Sequence, residues 1–87
     1  FESLGLARKA LRRGGTTPAA LNAANEVAVQ AFLDRDIPFP AITQVVDEVM
    51  SRHAPCAATT LEVVLAADRS AREEARRACS RHRIGSS

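Results

Sequence analysis

Apolar positions recur along the chain at helical spacing. Leu4, Ala7 and Leu11 stand at i, i+3 and i+7 and predict a helix over residues 2–13. Gly14 and Gly15 follow, where glycine supplies a left-handed C-cap. The next segment has a start signal in Thr17 as N-cap and Pro18 at the first helical position, and it should run to about Asp34. It is apolar on most sides, from Ala19 through Leu33. Asn22, Glu26 and Gln30 form one polar stripe, with Asn25 beside it. A helix apolar nearly all round is buried nearly all round, so this is the central helix.

Ile37-Pro38-Phe39-Pro40 reads as a stiff connector, because proline disfavours helix at the residue before it and suits a helix start. From Pro40 to Arg52, Ile42, Val45, Val46, Val49 and Met50 keep the helical period, with Asp47 and Glu48 pointing away. Residues 54–58 read as a loop. Thr59 with Glu62 spells a capping box ahead of Leu61, Val64 and Leu65, and Ser70 with Glu73 spells another. These signals predict a short helix over 60–66, a break near Asp68 and a longer helix over 69–81; a single bent helix is the alternative. Residues 84–87 should fray. The expected fold is all-α, an antiparallel bundle of four main helices.

Composition sharpens this picture. The chain has 87 residues, enough for one domain with a small core. It opens on Phe1, which points to a piece of a longer chain. Alanine abounds and aromatic residues are 3 %, a balance that favours close-packed helices over sheets. The net charge of +2 is too small to imply a polyanionic partner. Cys56 and Cys79 are distant in sequence, and His53 and His82 complete no zinc-ligand spacing. No apolar run is long enough for a membrane span and no signal peptide opens the chain, so a reduced, cytoplasmic setting is expected.

The run Leu21-Asn22-Ala23-Ala24-Asn25-Glu26-Val27-Ala28-Val29-Gln30-Ala31-Phe32-Leu33 resembles the signature of the C-terminal domain of the 1-deoxy-D-xylulose 5-phosphate (DXP) reductoisomerases. The context agrees with it. Leu4-Gly5-Leu6-Ala7 precedes, then Gly14 to Ala19, then Ile37, Phe39 and Ile42, then Leu61, Val64, Leu65, Asp68, Ala71 and Arg72, all in the order and spacing of that family. The resemblance implies a supporting domain of an enzyme that makes 2-C-methyl-D-erythritol 4-phosphate in non-mevalonate isoprenoid biosynthesis. It implies NADPH and a divalent metal (Mg or Mn) held elsewhere in the parent chain, and a homodimeric parent. The residues themselves offer neither a Gly-rich strand-to-helix turn nor an Asp-x-Glu pair placed for a metal. The resemblance therefore carries no catalytic, cofactor-binding or metal-binding residue onto this chain, which alone should be inactive.

Four groups merit weighing. Asn22, Asn25 and Glu26 are read as a structural polar cluster, with Asn25 the more buried amide, tying down backbone within the domain. His53 ends a helix, where a cation suits the dipole. Cys56 and Cys79 are read as buried or surface thiols rather than nucleophiles. Arg69, Arg72, Arg76, Arg77, Arg81, His82 and Arg83 are interrupted by Glu73 and Glu74, with Glu73 placed to pair with Arg76 or Arg77. That run is a solvated face rather than a nucleic-acid site, since it lacks stacking aromatics. The rival to a packing domain is a free-standing basic helical module that binds protein or nucleic acid. A longer reading frame with a Gly-rich dinucleotide fingerprint would decide between them.

Overall fold

The computed structural model describes residues 15–85, and these form three α-helices and no strand: α1 (Thr17–Leu33), α2 (Ala41–Arg52) and α3 (Leu61–Arg81). The helix expected over residues 2–13, and the end of the tail at 86–87, lie outside the described residues. Each helix packs on the other two. Arg52 of α2 meets Glu74 of α3, and Glu48 meets His82, so these two helices run antiparallel. Glu26 meets Arg72 and Asp36 meets Ile84, so α1 and α3 run parallel.

The core explains the alanine content. α1 contributes Ala20, Ala23, Ala24 and Ala28, and α3 contributes Ala71, Ala75, Ala78 and Cys79. Small side chains on facing ridges let the two helix axes approach closely. α2 fills the remaining space with Val45, Val46, Val49 and Met50, and Ile37 closes one end. Burying Ile37 requires a sharp exit from α1. Arg35 takes φ 63°, its N–H bonds the Phe32 carbonyl at 2.9 Å, and the Asp36 N–H bonds that of Ala31 at 2.8 Å. This is a Schellman turn built on arginine instead of glycine. Phe39 of the connector then packs edge-on against Phe32, with ring centroids 5.5 Å apart.

Several expectations are corrected here. α3 is continuous through Asp68, so the single-helix alternative holds and the break does not. The Asp68 carboxylate accepts from Arg72 Nε at 2.8 Å, one turn on within the same helix. Thr60, not Thr59, is the N-cap, its hydroxyl accepting from the Val63 N–H at 3.2 Å. Thr17 does not cap α1. It lies buried inside the first turn, Thr16 holds the N-cap position and Pro18 falls one residue later than expected. Glu48 does not simply point away, since it is half-buried and meets His82 at 3.2 Å. The Ile84 N–H bonds the Asp36 carbonyl at 2.7 Å.

Candidate functional site

Two polar features stand out, one where α1 begins and one across the α1–α3 groove. At the start of α1, the Thr16 N–H donates to the Cys56 carbonyl at 2.9 Å, and the Cys56 N–H donates to the Thr16 hydroxyl at 3.0 Å. The same hydroxyl lies 3.1 Å from His53 Nε2. One threonine thus ties the start of α1 to the end of α2 and to the loop before α3. Its hydroxyl is committed to that loop, which is why α1 has no side-chain cap. Gly15, at φ +57°, makes the close approach possible, for a Cβ there would stand 2.2 Å from the Cys56 carbonyl oxygen. His53 is therefore a structural strut as well as the residue that ends α2.

In the groove, Asn22 Nδ2 donates to Glu26 Oε2 at 3.2 Å, and the same oxygen accepts from the Arg72 guanidinium at 2.7 Å. Arg72 also grips Asp68 through Nε and a terminal nitrogen. Two carboxylates beside one guanidinium hold its pKa above the ordinary arginine value, through the hydrogen bonds to Asp68 first and Glu26 second. The structure joins two of the three cluster residues read from the sequence, Asn22 and Glu26. Asn25 stands apart: it is exposed, not buried, and among the described residues its side chain makes no hydrogen bond. A helix advances 100° per residue, which carries Asn25 off the stripe spaced at i, i+4. Arg72 and Asp68, which complete the network, were not read as part of it from the sequence. Their i, i+4 spacing was the available signal.

Beyond this network the groove widens to about 520 Å³, bounded by Asp34, Asp36, Arg76 and Arg83 around Cys79. Acidic and basic side chains alternate there, so the groove has no single sign of charge. The Cys79 thiol is pushed above its ordinary pKa by burial, then by Asp36 and Glu48, so it stays protonated and a poor nucleophile. Along the seam between α2 and α3, Glu74 rather than Glu73 carries the ion pairs. It accepts from Arg77 at 2.7 Å and Arg52 at 2.6 Å, and these two cations hold its carboxyl below the ordinary glutamate range. Among the described residues no group of three His, Cys, Asp or Glu side chains is placed to hold a metal ion, and no described helix is long and apolar enough to cross a membrane.

Residues 1–74 match the family model of the DXP reductoisomerase C-terminal domain. The chain belongs to this family. Among its curated relatives, the 1-deoxy-D-xylulose 5-phosphate reductoisomerase of Symbiobacterium thermophilum is 58 % identical over 76 residues, covering 87 % of this chain and 20 % of that protein. The enzyme of the same name from Ralstonia pickettii is 54 % identical over 77 residues, covering 88 % and 19 %. That from Pseudomonas aeruginosa strain PAO1 is 50 % identical over 82 residues, covering 94 % and 21 %. The chain spans about a fifth of the length of these relatives. As a reductoisomerase C-terminal domain it is all-helical over its described residues, and its ordered polar networks join helix to helix.

Proposed function

We propose that this chain is the C-terminal domain of a DXP reductoisomerase and supports the catalytic part of that enzyme. The whole enzyme would convert 1-deoxy-D-xylulose 5-phosphate to 2-C-methyl-D-erythritol 4-phosphate with NADPH and a divalent metal, Mg or Mn, for isoprenoid biosynthesis. The match to the C-terminal domain family over residues 1–74 carries the reading. The described residues do not fit either group: they include no strand leading into a Gly-rich helix start and no cluster of metal ligands. No step of the reaction is assigned to them. Their contribution is mechanical. The Thr16–Cys56 clamp and the Arg72 network fix α1, α2 and α3 as one support, completed by the helix read over residues 2–13 as the fourth of a bundle. The partner is the catalytic part of the same polypeptide, in a homodimeric cytoplasmic enzyme, without a nucleic-acid or membrane partner.

The test is an exchange. The matching C-terminal segment of the S. thermophilum reductoisomerase is replaced by this chain, and NADPH oxidation is followed with 1-deoxy-D-xylulose 5-phosphate. The chimera should turn over, whereas the isolated chain should neither turn over nor bind NADPH tightly. A folded but inactive chimera would refute the support role. Tight, salt-resistant binding of the isolated chain to duplex DNA would favour the basic-module alternative, since phosphate contacts alone weaken steeply with salt.

A further inference from the structure

We infer that the first half of α3, centred on Leu61 and Leu65, is the seat on which the catalytic part of the reductoisomerase rests. The inference depends on the support role proposed above and specifies the surface. α3 is regular and capped from its first turn by Thr60, so exposure there is not fraying. Yet none of residues 61–70 is buried, whereas Ala71, Ala75, Ala78 and Cys79 all are. The reason is geometric. α2 ends at Arg52, which meets Glu74, and Val49, Arg52 and His53 face Ser70, Ala71 and Glu74. The first nine residues of α3 run on past the end of α2, a length of about 14 Å.

Residues 61–67 of that length are the most apolar part of the helix, Leu61, Val63, Val64, Leu65, Ala66 and Ala67 with Glu62 among them, before Asp68 and Arg69. Leu61 and Leu65 stand one turn apart on one side, 68 % and 52 % exposed. Leu33, Phe39 and Ile84 are exposed as well, but Leu61 and Leu65 share one helix face on the length that runs past α2, and apolar surface grouped in that way marks a contact. The length of the relatives names the occupant. The relatives are about five times the length this chain spans in them, so most of the polypeptide in which such a domain works lies outside it. The family match over residues 1–74 takes in Leu61 and Leu65, as it does Leu33 and Phe39, and leaves out the exposed Ile84.

The experiment uses the same chimera and the isolated chain, each carrying Leu61→Gln with Leu65→Gln. Glutamine keeps helix propensity and removes the apolar contact. The isolated double variant should melt as the isolated parent does. In the chimera it should lower turnover tenfold or more, or speed thermal inactivation by a similar factor, and Leu61→Met with Leu65→Met should restore both. Leu33→Gln, at an equally exposed leucine at the far end of α1, should leave the chimera unchanged. A parent chimera without activity would sink the support role and this inference with it. A parent chimera that works, with a double variant just as active and as durable, would overturn this inference alone. So would an equal loss from Leu33→Gln, unfolding of the isolated double variant, or a dimer of the isolated chain abolished by the double substitution, which would make a second copy the occupant.

Discussion

Thr16 and Cys56, forty residues apart, exchange two hydrogen bonds: backbone N–H to carbonyl at 2.9 Å one way, and backbone N–H to hydroxyl at 3.0 Å the other. The pairing brings two chain segments so close that only glycine fits beside it. A methyl group on Gly15 would collide with the Cys56 carbonyl, and φ +57° would strain it further. Gly15→Ala should therefore destabilise the domain by about 2 kcal/mol or more. Denaturant melting of the isolated chain checks this, and an unchanged midpoint would mean the clamp is not held in solution.

The two adjacent threonines should respond in opposite directions. Thr16 serves both Cys56 and His53 through its hydroxyl, whereas the Thr17 hydroxyl is buried with no hydrogen-bond partner among the described residues. Thr16→Val leaves a donor in the loop unmet and should cost about 1–3 kcal/mol. Thr17→Val removes a stranded polar atom while keeping the shape, and should gain about 1 kcal/mol. Melting the two variants side by side makes the comparison, and a shared sign would count against the assigned roles.

Arg35 holds the left-handed position of the Schellman turn after α1. A side chain with a Cβ is strained there by about 1 kcal/mol, and glycine is not. Arg35→Gly should raise stability by about 0.5–1 kcal/mol, less what the flexible glycine costs in the unfolded chain. Thermal melting decides it; a lower midpoint would show the arginine side chain to be holding the connector in another way.

What the sequence conveyed follows from which interactions are local. The period of Ile42, Val45, Val46, Val49 and Met50 fixed α2 to within a residue, because one helix face meets the core for its whole length. Capping signals were less dependable. Ser70 and Glu73 form a valid box in letters, but α3 was already running when it reached them, and Asp68 was engaged by Arg72. Arg35 gave no turn signal, since arginine is an unusual residue for that conformation. In the polar cluster, Asn22 and Glu26 were legible from their spacing along one helix. Their partner Arg72 lies 46 residues further on, and nothing local to α1 points to it.

The two thiols should differ in reactivity. Cys56 is exposed in the loop, whereas Cys79 is buried under the α1–α3 groove with its pKa raised by that burial and by Asp36 and Glu48. At neutral pH a thiol reagent should modify Cys56 rapidly and Cys79 only after unfolding. A raised folded pKa gives stability that is complete below the unfolded thiol pKa and is lost as pH climbs through the folded one. Cys79 therefore contributes at neutral pH and less in alkali. Timed labelling followed by mass spectrometry of the peptides separates the two sites, and equal rates would contradict the burial.

Asn25 offers the sharpest test of where this domain's polar residues work. Its place in the central helix of an alanine-rich bundle argued for a buried amide bonding neighbouring backbone, in which case Asn25→Ala would cost 1–3 kcal/mol in order of magnitude, roughly the value of a stranded partner. The structure leaves the amide exposed and without a hydrogen bond among the described residues, while Asn22, one turn earlier, is tied to Glu26. With no bond to lose, what remains is helix propensity, in which alanine exceeds asparagine by about half a kcal/mol. Asn25→Ala should then raise the melting midpoint of the isolated chain slightly. The same substitution in the active chimera asks whether Asn25 serves the rest of the enzyme. A loss of turnover with no loss of domain stability would place its amide against the catalytic part, and unchanged turnover would leave it a solvated residue. A clear drop in the stability of the isolated chain would contradict the exposed amide and restore the buried bond.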